Sequence, residues 1–372
     1  MNIAVNTRLL LKNKLEGVGW FTYETIKRIT TSHPEHNFLF IFDRPWNDDF
    51  IFSDNITPIA AKIQSRHPIL WYLYFNYNIP YILNRKKVDL FVSPDGWNIP
   101  SKFKSYTVVH DINFVHFPKN VPYCERKYYN YFFPRFIKDA CRVGTVSEFS
   151  KDDICKNYGT DPDKIDVLCN GASSVFQPIS SVEKEVIKQE ISNGHDYFLF
   201  VGALNPRKNI GRLLDAFDAF CERTDNKIML VIAGAAMFSE KSFSKNYKSM
   251  KHKDRVFFIG RQNRDRLGKI TASALSLVFP STFEGFGIPI IEAMNSDVPV
   301  ITSNITSMPE VAGDAAILID PYSVDSITNG LISIAKDENL RKSLIEKGRL
   351  QAQNYSWDKA ASLFWNGIEK CL

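Results

Sequence analysis

The stretch Ser281-Thr-Phe-Glu-Gly-Phe-Gly-Ile-Pro-Ile-Ile-Glu292 follows a short apolar segment, 275–279, with the length and composition of a buried strand. Two glycines one residue apart predict a tight loop, and Pro289 fits the first turn of a helix, where the missing N–H has no partner to lose. The unpaired N–H groups of a first helical turn favour an anion. The stretch therefore predicts a strand, a glycine loop and a helix that can hold a phosphate.

Two carboxylates flank this loop. Glu284 precedes the helix and Glu292 lies within it, so the two are placed to accept hydrogen bonds from hydroxyl groups on either side of a phosphate, such as a ribose and a sugar. A purely structural role also explains the pattern, because Glu284 would stabilise the positive end of a core helix. The glycine loop alone leaves these two interpretations about even.

A second polar loop follows the apolar segment 197–201. After a turn at Asn205-Pro206, two adjacent cations, Arg207 and Lys208, open a helix. Cations at a helix N-terminus oppose the helix dipole, so an anionic ligand explains them better than the alternative of two solvated surface charges. They are suited to bind a diphosphate and to stabilise charge on a leaving group.

Two weaker candidates lie in the first half of the chain. His110 and Asp111 end the predicted strand 107–110, a position that suits a ligand site in a parallel sheet, although a satisfied core histidine is a common alternative. Gly17 and Gly19 lack the third glycine of a dinucleotide-binding fingerprint, whose place is taken by Thr22. We therefore predict a ligand-side loop at 16–20 and no nicotinamide site.

Around these motifs, short apolar strands alternate with amphipathic helices, which is the pattern of parallel α/β sheets. A small polar segment at 171–181 interrupts the alternation, which then restarts. We predict two doubly wound domains, 1–172 and 173–355, and a final helix within 356–372. The predicted strands are 2–6, 38–42, 90–93, 107–110, 143–146 and 166–170 in the first domain, then 197–201, 229–233, 256–259, 275–279, 298–302 and 316–319 in the second.

Composition narrows the class of protein. The 372 residues are 44% hydrophobic and 23% charged, which is ordinary for a globular chain and argues against disorder. The net charge of +5 is too small to indicate a nucleic-acid partner.

Residues 1–173 hold 22 basic and 18 acidic residues, so +4 of the net charge of +5 lies in the first half of the chain. This favours peripheral attachment to an anionic membrane or a phosphorylated substrate, with an ordinary solvated surface as the alternative. The aromatic run 71–81 fits a membrane, a glycan or a core.

The cysteine, metal and targeting signals of the sequence predict a cytoplasmic protein. Any attachment to a membrane is expected at its inner face. The six cysteines have no CxxC or paired spacing, so neither a disulfide framework nor a zinc site is expected. HExxH and P-loop motifs are absent from the sequence, and we predict no metal. The first ten residues resemble a buried strand more than a signal peptide, and no apolar run reaches the ~20 residues of a membrane span.

Several motifs together resemble glycosyltransferase family 4, the retaining glycosyl transferases group 1. Glu284 and Glu292, eight positions apart around Gly-Phe-Gly-Ile-Pro, are similar to its E-x7-E signature. The similarity extends in the same order through Val-Gly-Thr-Val-Ser-Glu-Phe-Ser at 143–150, Asn170-Gly171, Pro-Arg-Lys-Asn at 206–209 and Pro-Glu-Val-Ala-Gly at 309–313. It covers nearly the whole chain and is densest in the second half.

The resemblance implies the GT-B fold, with two Rossmann-like domains facing across a cleft, the acceptor side in the first and the donor site in the second. It implies that helix 356–372 packs back on the first domain. Many members carry an arginine directly after the strand's glycine, where this chain has Ala203, and Arg207 would supply that charge. The resemblance implies that Glu292 binds the ribose, that Glu284 binds the transferred sugar, and that Arg207 and Lys208 bind the diphosphate. It implies contacts to the phosphates or the sugar from the backbone of Gly285, Phe286, Gly287 and Ile288. It also implies that His110 contacts the donor sugar and that a loop at Gly17 and Gly19 lies near the phosphates and the acceptor.

The implied reaction transfers a hexose, with retention, from a nucleoside-diphosphate sugar to a hydroxyl group of a glycan or a lipid-linked oligosaccharide. Neither a cofactor nor a metal is needed for it. GDP-mannose is the first candidate donor and a UDP-hexose the second, from the habit of the family. Two alternatives remain: a hydrolysing nucleotide-sugar epimerase and a non-catalytic protein that binds nucleotide sugars or glycans.

Overall fold

A computed structural model describes residues 1–65, 67–100, 102–235 and 241–372. The chain divides into two compact units, Met1–Asn170 with Trp357–Leu372, and Gly171–Ser356. Within the described residues, the first unit contains a seven-stranded sheet and the second a six-stranded sheet, and all neighbouring strands are parallel. The predicted α/β class with two parallel sheets is therefore confirmed.

The first unit starts with β1 and alternates strands with helices. Its strands are β1 (Asn2–Asn6), β2 (Asn37–Phe42), β3 (Ile56–Ala60), β4 (Leu90–Ser93), β5 (Ser105–Val108), β6 (Arg142–Thr145) and β7 (Ile165–Val167). Its helices before the second unit are α1 (Gly17–Ser32), α2 (Pro68–Leu73), α3 (Ile79–Lys86), α4 (Asn113–His116), α5 (Tyr123–Asp139) and α6 (Glu148–Tyr158). A π-helical turn, Tyr74–Asn78, joins α2 to α3.

The second unit repeats the alternation, and the chain then ends in a helix that belongs to the first unit. The strands are β8 (Tyr197–Val201), β9 (Met229–Ala233), β10 (Val256–Gly260), β11 (Ser276–Phe279), β12 (Val300–Ser303) and β13 (Ala316–Ile319). The helices are α7 (Ser181–Ser192), α8 (Ile210–Arg223), α9 (Lys241–Ser249), α10 (Arg264–Ala272), α11 (Ile288–Asn295), α12 (Met308–Ala312), α13 (Val324–Lys336), α14 (Glu338–Ala352) and the final α15 (Trp357–Glu369).

Strand β3 was not predicted, and its place in the sheet explains why. It pairs only with β2 at the edge of the first sheet and contains Pro58. A proline cannot donate to a ladder of hydrogen bonds, so it is tolerated at an edge and weakens the strand signal in the sequence. The predicted strand 107–110 also ends earlier than expected, at Val108, which leaves His110 in the loop beyond it.

The predicted loop at 16–20 is helical instead. Helix α1 begins at Gly17, because the N–H of Trp20 donates to the carbonyl of Glu16 at 2.8 Å and closes the first turn. Gly19 fits this turn because a Cβ there would lie 3.1 Å from the carbonyl oxygen of Leu9. Gly17 and Gly19 thus lie in the first turn of a helix that follows β1.

The final helix packs on α1 through aromatic side chains. Phe364 stacks on Phe21 with ring centroids 5.8 Å apart, and Trp365 stacks on His33 at 3.8 Å. Asp358 accepts a hydrogen bond of 2.7 Å from Nε of Arg28. The last residues of the chain are therefore part of the core of the first unit.

The strand order of each sheet marks where a ligand is expected. The first sheet has the order β3-β2-β1-β4-β5-β6-β7, and the second has β10-β9-β8-β11-β12-β13. The chain direction across the sheet reverses between β1 and β4, and between β8 and β11. Open parallel sheets bind ligands beyond the carboxyl ends of their strands at such a reversal. In the second unit this point lies between the loops that follow β8 and β11.

Two glycines bring the loops after β8 and β9 into direct backbone contact. Gly234 has a φ of +157°, and a Cβ built on it would lie 1.9 Å from the carbonyl oxygen of Gly202. No side chain fits at that distance, so an alanine at 234 has to displace the backbone that leads into Arg207 and Lys208.

We expect Gly234→Ala to lower the free energy of unfolding by roughly 3 kcal/mol or more, because it combines a backbone clash with an unfavourable φ. Gly260→Ala is the matched control, since Gly260 has a φ of +64° but open space around a Cβ. That control should cost about 1 kcal/mol from conformation alone. Denaturant unfolding of both variants measures the difference, and equal losses would show that the contact with Gly202 is easily relieved.

Candidate active site

The loop after β8 places two cations deep in the second unit. A short 3-10 turn, Pro206–Lys208, follows the strand, and Asn209 then adopts a left-handed conformation with φ 62° before α8 begins. The side-chain amide of Asn209 donates to the carbonyl oxygens of Pro280 at 3.0 Å and Pro321 at 2.6 Å. These bonds fasten the loop, and Lys208 is left only 8% exposed.

The loop after β11 is held against the loop after β8 by backbone contacts. Thr282 donates to the carbonyl oxygen of Arg207 from its backbone N–H at 2.8 Å and from its hydroxyl at 3.1 Å. The guanidinium of Arg207 in turn donates to the carbonyl oxygen of Phe283 at 2.8 Å. The predicted cation pair and the predicted Glu284 therefore meet where the strand order reverses.

Glu284 bridges the two cations. Its Oε2 lies 2.9 Å from Nη1 of Arg207, and its Oε1 lies 2.7 Å from Nζ of Lys208. The Lys208 ammonium also lies 4.6 Å from the ring centroid of Phe279, in cation–π range. Three charged groups thus share a mostly buried site, and their sum is one positive charge.

The charge state of Glu284 follows from this arrangement. Burial alone would raise its pKa, but the charges of Arg207 and Lys208 and a hydrogen bond from Lys208 outweigh burial and lower the pKa to about 2. The side chain is therefore a carboxylate at every physiological pH. It accepts hydrogen bonds, such as those of sugar hydroxyl groups, and has no proton to donate.

The glycine loop turns into α11 as predicted. Gly287 caps the helix with φ +99°, a left-handed conformation that favours glycine. The hydroxyl of Ser307 donates to the carbonyl oxygens of Glu284 at 2.9 Å and Phe286 at 3.0 Å, so these carbonyls are already bound. In the first turn of α11, Pro289 has no N–H and the N–H of Ile290 donates to the carbonyl oxygen of Gly287 at 2.9 Å, so Ile288 has the backbone N–H without an acceptor within the helix.

Glu292 lies one turn into α11 and has the opposite electrostatic setting to Glu284. Burial raises its pKa to about 7, and the charge of Arg264 offsets the shift only in part. Glu292 therefore titrates near neutral pH, well above the range of an exposed carboxyl group. A buried carboxyl group with a shift of this size is a functional candidate.

The first-unit candidates lie on the loop after β5 and on α1. The Nε2–H of His110 donates to the carbonyl oxygen of Pro94 at 2.8 Å, and its ring meets Phe21 of α1 edge-on at 4.8 Å. Burial lowers the pKa of His110, so the ring is neutral at neutral pH and its Nδ1 is an acceptor. Phe21 places α1, with Gly17 and Gly19 in its first turn, beside His110.

A polar cluster at the strand reversal of the first unit was not predicted. Nε of Arg8 lies 2.5 Å from Oδ2 of Asp95, and Asn6 donates to the other Asp95 oxygen at 2.9 Å. The Arg8 guanidinium sits 4.6 Å from the Trp97 ring centroid. The sequence offered one signal for this cluster, namely that its polar residues lie at or just beyond the ends of strands. Asn6 is the last residue of β1, and Arg8 and Asp95 each lie two residues beyond β1 and β4.

The loop-fastening residues Asn209, Thr282 and Ser307 were also missed. Each is a polar residue in a loop that follows a strand, and only their partners, which are backbone carbonyls distant in sequence, reveal their function. In the part of the chain that the structure describes, no group of three His, Cys, Asp or Glu side chains is arranged to hold a metal ion.

Isosteric substitution of the two glutamates should change stability in opposite directions at pH 8 without ligand. Glu284→Gln leaves Arg207 and Lys208 facing each other, so we expect it to lower the free energy of unfolding by about 3 kcal/mol. Glu292→Gln removes a carboxylate that burial disfavours, so we expect it to raise the melting temperature. Differential scanning calorimetry of both variants and the wild type measures this.

The pH dependence serves as the control for that pair. The Glu284 contribution is present above its unfolded pKa of about 4.5 and is lost as pH falls toward 2, because the folded pKa is lowered. The Glu292 penalty is present above about pH 7 and absent below about 4.5, because the folded pKa is raised. A gain for Glu292→Gln that does not shrink between pH 8 and pH 5 would contradict this description.

Two family models match successive parts of the chain. The model of the Glycosyltransferase Family 4 domain matches residues 16–174, and that of the Glycosyl transferases group 1 domain matches residues 181–351. O-antigen chain mannosyltransferase B of Escherichia coli is 26% identical over 95% of this chain and 95% of its own length. O-antigen chain mannosyltransferase RfbU of Salmonella typhimurium is 30% identical over 72% of this chain and 71% of its own.

A solved structure shares the architecture. Anabaena HepE in complex with UDP-glucose superimposes with a TM-score of 0.76 at 16% identity, covering 99% of both chains. The two matched domain models together span most of the sequence. The two parallel sheets of the structure are those of the GT-B fold. The chain belongs to glycosyltransferase family 4.

Proposed function

We propose that the chain transfers a hexose, mannose first among the candidates, from a nucleoside-diphosphate sugar to a hydroxyl group of a glycan or a lipid-linked oligosaccharide. The transfer retains the configuration at the anomeric carbon and requires no metal ion. The observation that carries this proposal is the Arg207–Glu284–Lys208 cluster, in which two cations share one carboxylate where the strand order reverses.

The cations suit a diphosphate leaving group. Negative charge builds on the diphosphate as its bond to the anomeric carbon breaks, and fixed positive groups in a buried site stabilise such charge most strongly. Arg207 and Lys208 are held in place before the donor arrives, by the contacts with Glu284, Phe279 and Phe283. Two side-chain cations can supply the charge that other transferases obtain from a metal ion.

The carboxylates suit the two ends of the donor. In this proposal Glu284 accepts hydrogen bonds from the transferred sugar, and Glu292 accepts them from the ribose. The N–H groups around Gly285, Phe286, Gly287 and Ile288 face the phosphates or the sugar. The neutral His110 accepts a hydrogen bond from the donor sugar, and Gly17 and Gly19 approach the phosphates and the acceptor, as the family resemblance implies.

Retention is proposed because the family resemblance implies it and because Glu284, the carboxylate beside the two cations, is poorly suited to take the acceptor proton. Glu284, with a pKa of about 2, is a weak base, and its two oxygens are held by Arg207 and Lys208. The acceptor oxygen then bonds to the anomeric carbon on the face that the diphosphate leaves. The anomeric carbon–phosphate oxygen bond breaks, and the hydroxyl proton passes to the departing diphosphate.

The choice of hexose and acceptor rests on relatives. Two of them are named O-antigen chain mannosyltransferases, which supports mannose and a glycan or lipid-linked acceptor. GDP-mannose is the first donor to test, and the UDP-glucose complex of HepE supports a UDP-hexose as the second. A lipid-linked acceptor lies at a membrane, so the proposal includes peripheral attachment of the chain there.

A donor screen with product analysis tests this function. Thermal shifts with GDP, UDP, ADP, GDP-mannose, UDP-glucose and UDP-N-acetylglucosamine should single out one base, since a ligand at 100 times its Kd adds about 2.7 kcal/mol of stability. Transfer with the selected donor, followed by NMR of the new anomeric centre, reports retention. Epimerised sugar formed without any acceptor would instead identify an epimerase, and donor binding without turnover a non-catalytic protein.

Lys208→Ala should reduce transfer at least 100-fold, because it removes one of the two charges offered to the leaving group. The folded state should survive, since Arg207 still pairs with Glu284. Lys227→Ala, which removes an exposed cation of the same unit, is the matched control and should leave turnover unchanged. Wild-type turnover by Lys208→Ala would refute the role assigned to Lys208.

Donor affinity should rise with pH through the titration of Glu292. Only the ionised carboxyl accepts hydrogen bonds from two ribose hydroxyl groups, and its pKa is about 7 in the free protein. We therefore expect Kd for the nucleoside diphosphate to fall roughly tenfold between pH 6 and pH 8. Calorimetric titration measures this, and Glu292→Gln should bind more weakly with a flat profile. An unchanged slope in that variant would assign the titration to another group.

A further inference from the structure

Helix α5 carries a regular exposed stripe that the catalytic proposal does not use. Tyr123, Lys127, Tyr131 and Arg135 are spaced four residues apart, and all four are exposed. Side chains at this spacing share one face of a helix. The Arg135 guanidinium lies 3.6 Å from the Tyr131 ring centroid, and the Lys127 ammonium 4.8 Å from that of Tyr123. Aromatic rings and cations therefore alternate along the stripe.

The segment formed by α2, the π-helical turn and α3 carries a second stripe. Tyr77 is 59% exposed and Tyr81 is 63% exposed, and Arg85 continues the four-residue spacing. Ile69 and Tyr72 extend the stripe toward the start of α2 and are also exposed. The same segment buries Trp71, Tyr74 and Phe75 in the core. The aromatic run 71–81 thus divides between a core face and a solvent face.

The two stripes meet and form one surface. Tyr72 of α2 contacts Phe132 of α5 with ring centroids 6.0 Å apart, and Phe132 contacts Tyr131 at 4.8 Å. Tyr72 also meets Tyr77 at 5.9 Å, and a hydrogen bond with Tyr77, with Tyr131 nearby, raises the pKa of Tyr72. We call this surface the aromatic–basic face. Its members are Ile69, Tyr72, Tyr77, Tyr81, Arg85, Tyr123, Lys127, Tyr131 and Arg135.

The charge around this surface is concentrated. Residues 67–87 contain three basic residues and no acidic one. Residues 123–139 contain four basic residues and two acidic ones. Seven basic against two acidic residues give a net +5, which equals the net charge of the entire chain. The basic excess noted for residues 1–173 is therefore centred on these helices.

We propose that the aromatic–basic face docks on an anionic lipid bilayer. Tyrosine is favoured at the level of the lipid head groups, and each Lys or Arg beside an anionic surface strengthens binding about fivefold. An interface with another protein would be depleted in lysine at its centre. Single-stranded nucleic acid would need open ring faces, whereas Arg135 covers one face of Tyr131 and Lys127 lies over Tyr123. The inference deepens the proposed function, since it places the enzyme beside a lipid-linked acceptor.

Vesicle sedimentation of the full chain tests the charges of this face. We expect binding to vesicles of phosphatidylcholine with phosphatidylglycerol, and little binding to phosphatidylcholine alone. The combined variant Arg85→Ser, Lys127→Ser and Arg135→Ser should bind roughly 100-fold more weakly. The combined control Lys336→Ser, Lys342→Ser and Lys347→Ser removes three exposed charges from the second unit and should bind like the wild type. Equal losses in both variants would overturn the proposal.

A second variant tests the aromatic residues at unchanged charge. Tyr77→Ser, Tyr81→Ser and Tyr131→Ser together should reduce vesicle binding at least tenfold and weaken the part of it that survives high salt. Salt screens the attraction of the cations, because the Debye length falls from about 10 Å at 0.1 M to about 3 Å at 1 M. Tyr322→Ser, at an exposed tyrosine of the second unit, is the control. Circular dichroism confirms that each variant is folded.

Further measurements distinguish bilayer docking from other occupants of this face and test it separately from the proposed function. Single-stranded polyuridylate bound by the wild type and lost in the charge variant, without vesicle binding, would replace the bilayer by nucleic acid. A dimer in sedimentation velocity that the tyrosine variant abolishes would replace it by a second copy of the chain. Both variants should keep wild-type thermal shifts with the selected nucleotide. Vesicle binding can therefore fail while nucleotide binding stands, and nucleotide binding can fail while vesicle binding stands.

Discussion

The candidate site depends on one carboxylate that two cations share. Without Glu284, Arg207 and Lys208 would repel each other in a site where Lys208 is only 8% exposed, and the loops after β8 and β11 would lose two of the contacts that join them. With it, the cations are fixed in advance of any anionic ligand. Because preorganised charge needs no rearrangement during the reaction, the same ion pairs serve both the fold and the proposed chemistry.

The topology decides where that site lies, and backbone contacts make it rigid. At a reversal of strand order, the connections after the two adjacent strands run in opposite directions and leave room beyond the carboxyl ends of the strands. In the second unit these two strands are β8 and β11. Asn209, Thr282 and Ser307 then fasten the loops through carbonyl oxygens. The first unit has the same kind of reversal, occupied by the buried Arg8–Asp95 pair. Each unit thus places a charged pair at its own reversal point.

The sequence predicted the parallel sheets, and it marked Arg207, Lys208 and Glu284 as separate candidate residues, because those signals are local. Strands β1, β4, β8, β9 and β13 have the predicted ends, since continuous apolar runs bounded by polar residues mark them clearly. The edge strand β3 was missed because Pro58 breaks the pattern, and the first turn of α1 was missed because Gly17 and Gly19 favour a loop in isolation. Non-local hydrogen bonds, such as those of Asn209, leave no sequence pattern. The sharing of Glu284 by two cations is a consequence of the fold, and the predicted roles of these residues remain predictions.

The two glutamates of the site have opposite effects on the stability of the free protein. Both are partly or fully withdrawn from water, yet cations lower the pKa of Glu284 to about 2 while burial raises that of Glu292 to about 7. A carboxylate without a close cation is unfavourable in the free protein, because burial penalises its charged form. If hydroxyl groups of a donor supply the missing hydrogen bonds, part of the binding free energy is spent on ionising Glu292. Below about pH 7 the free protein then favours the neutral form of Glu292, and a bound donor would favour the charged one.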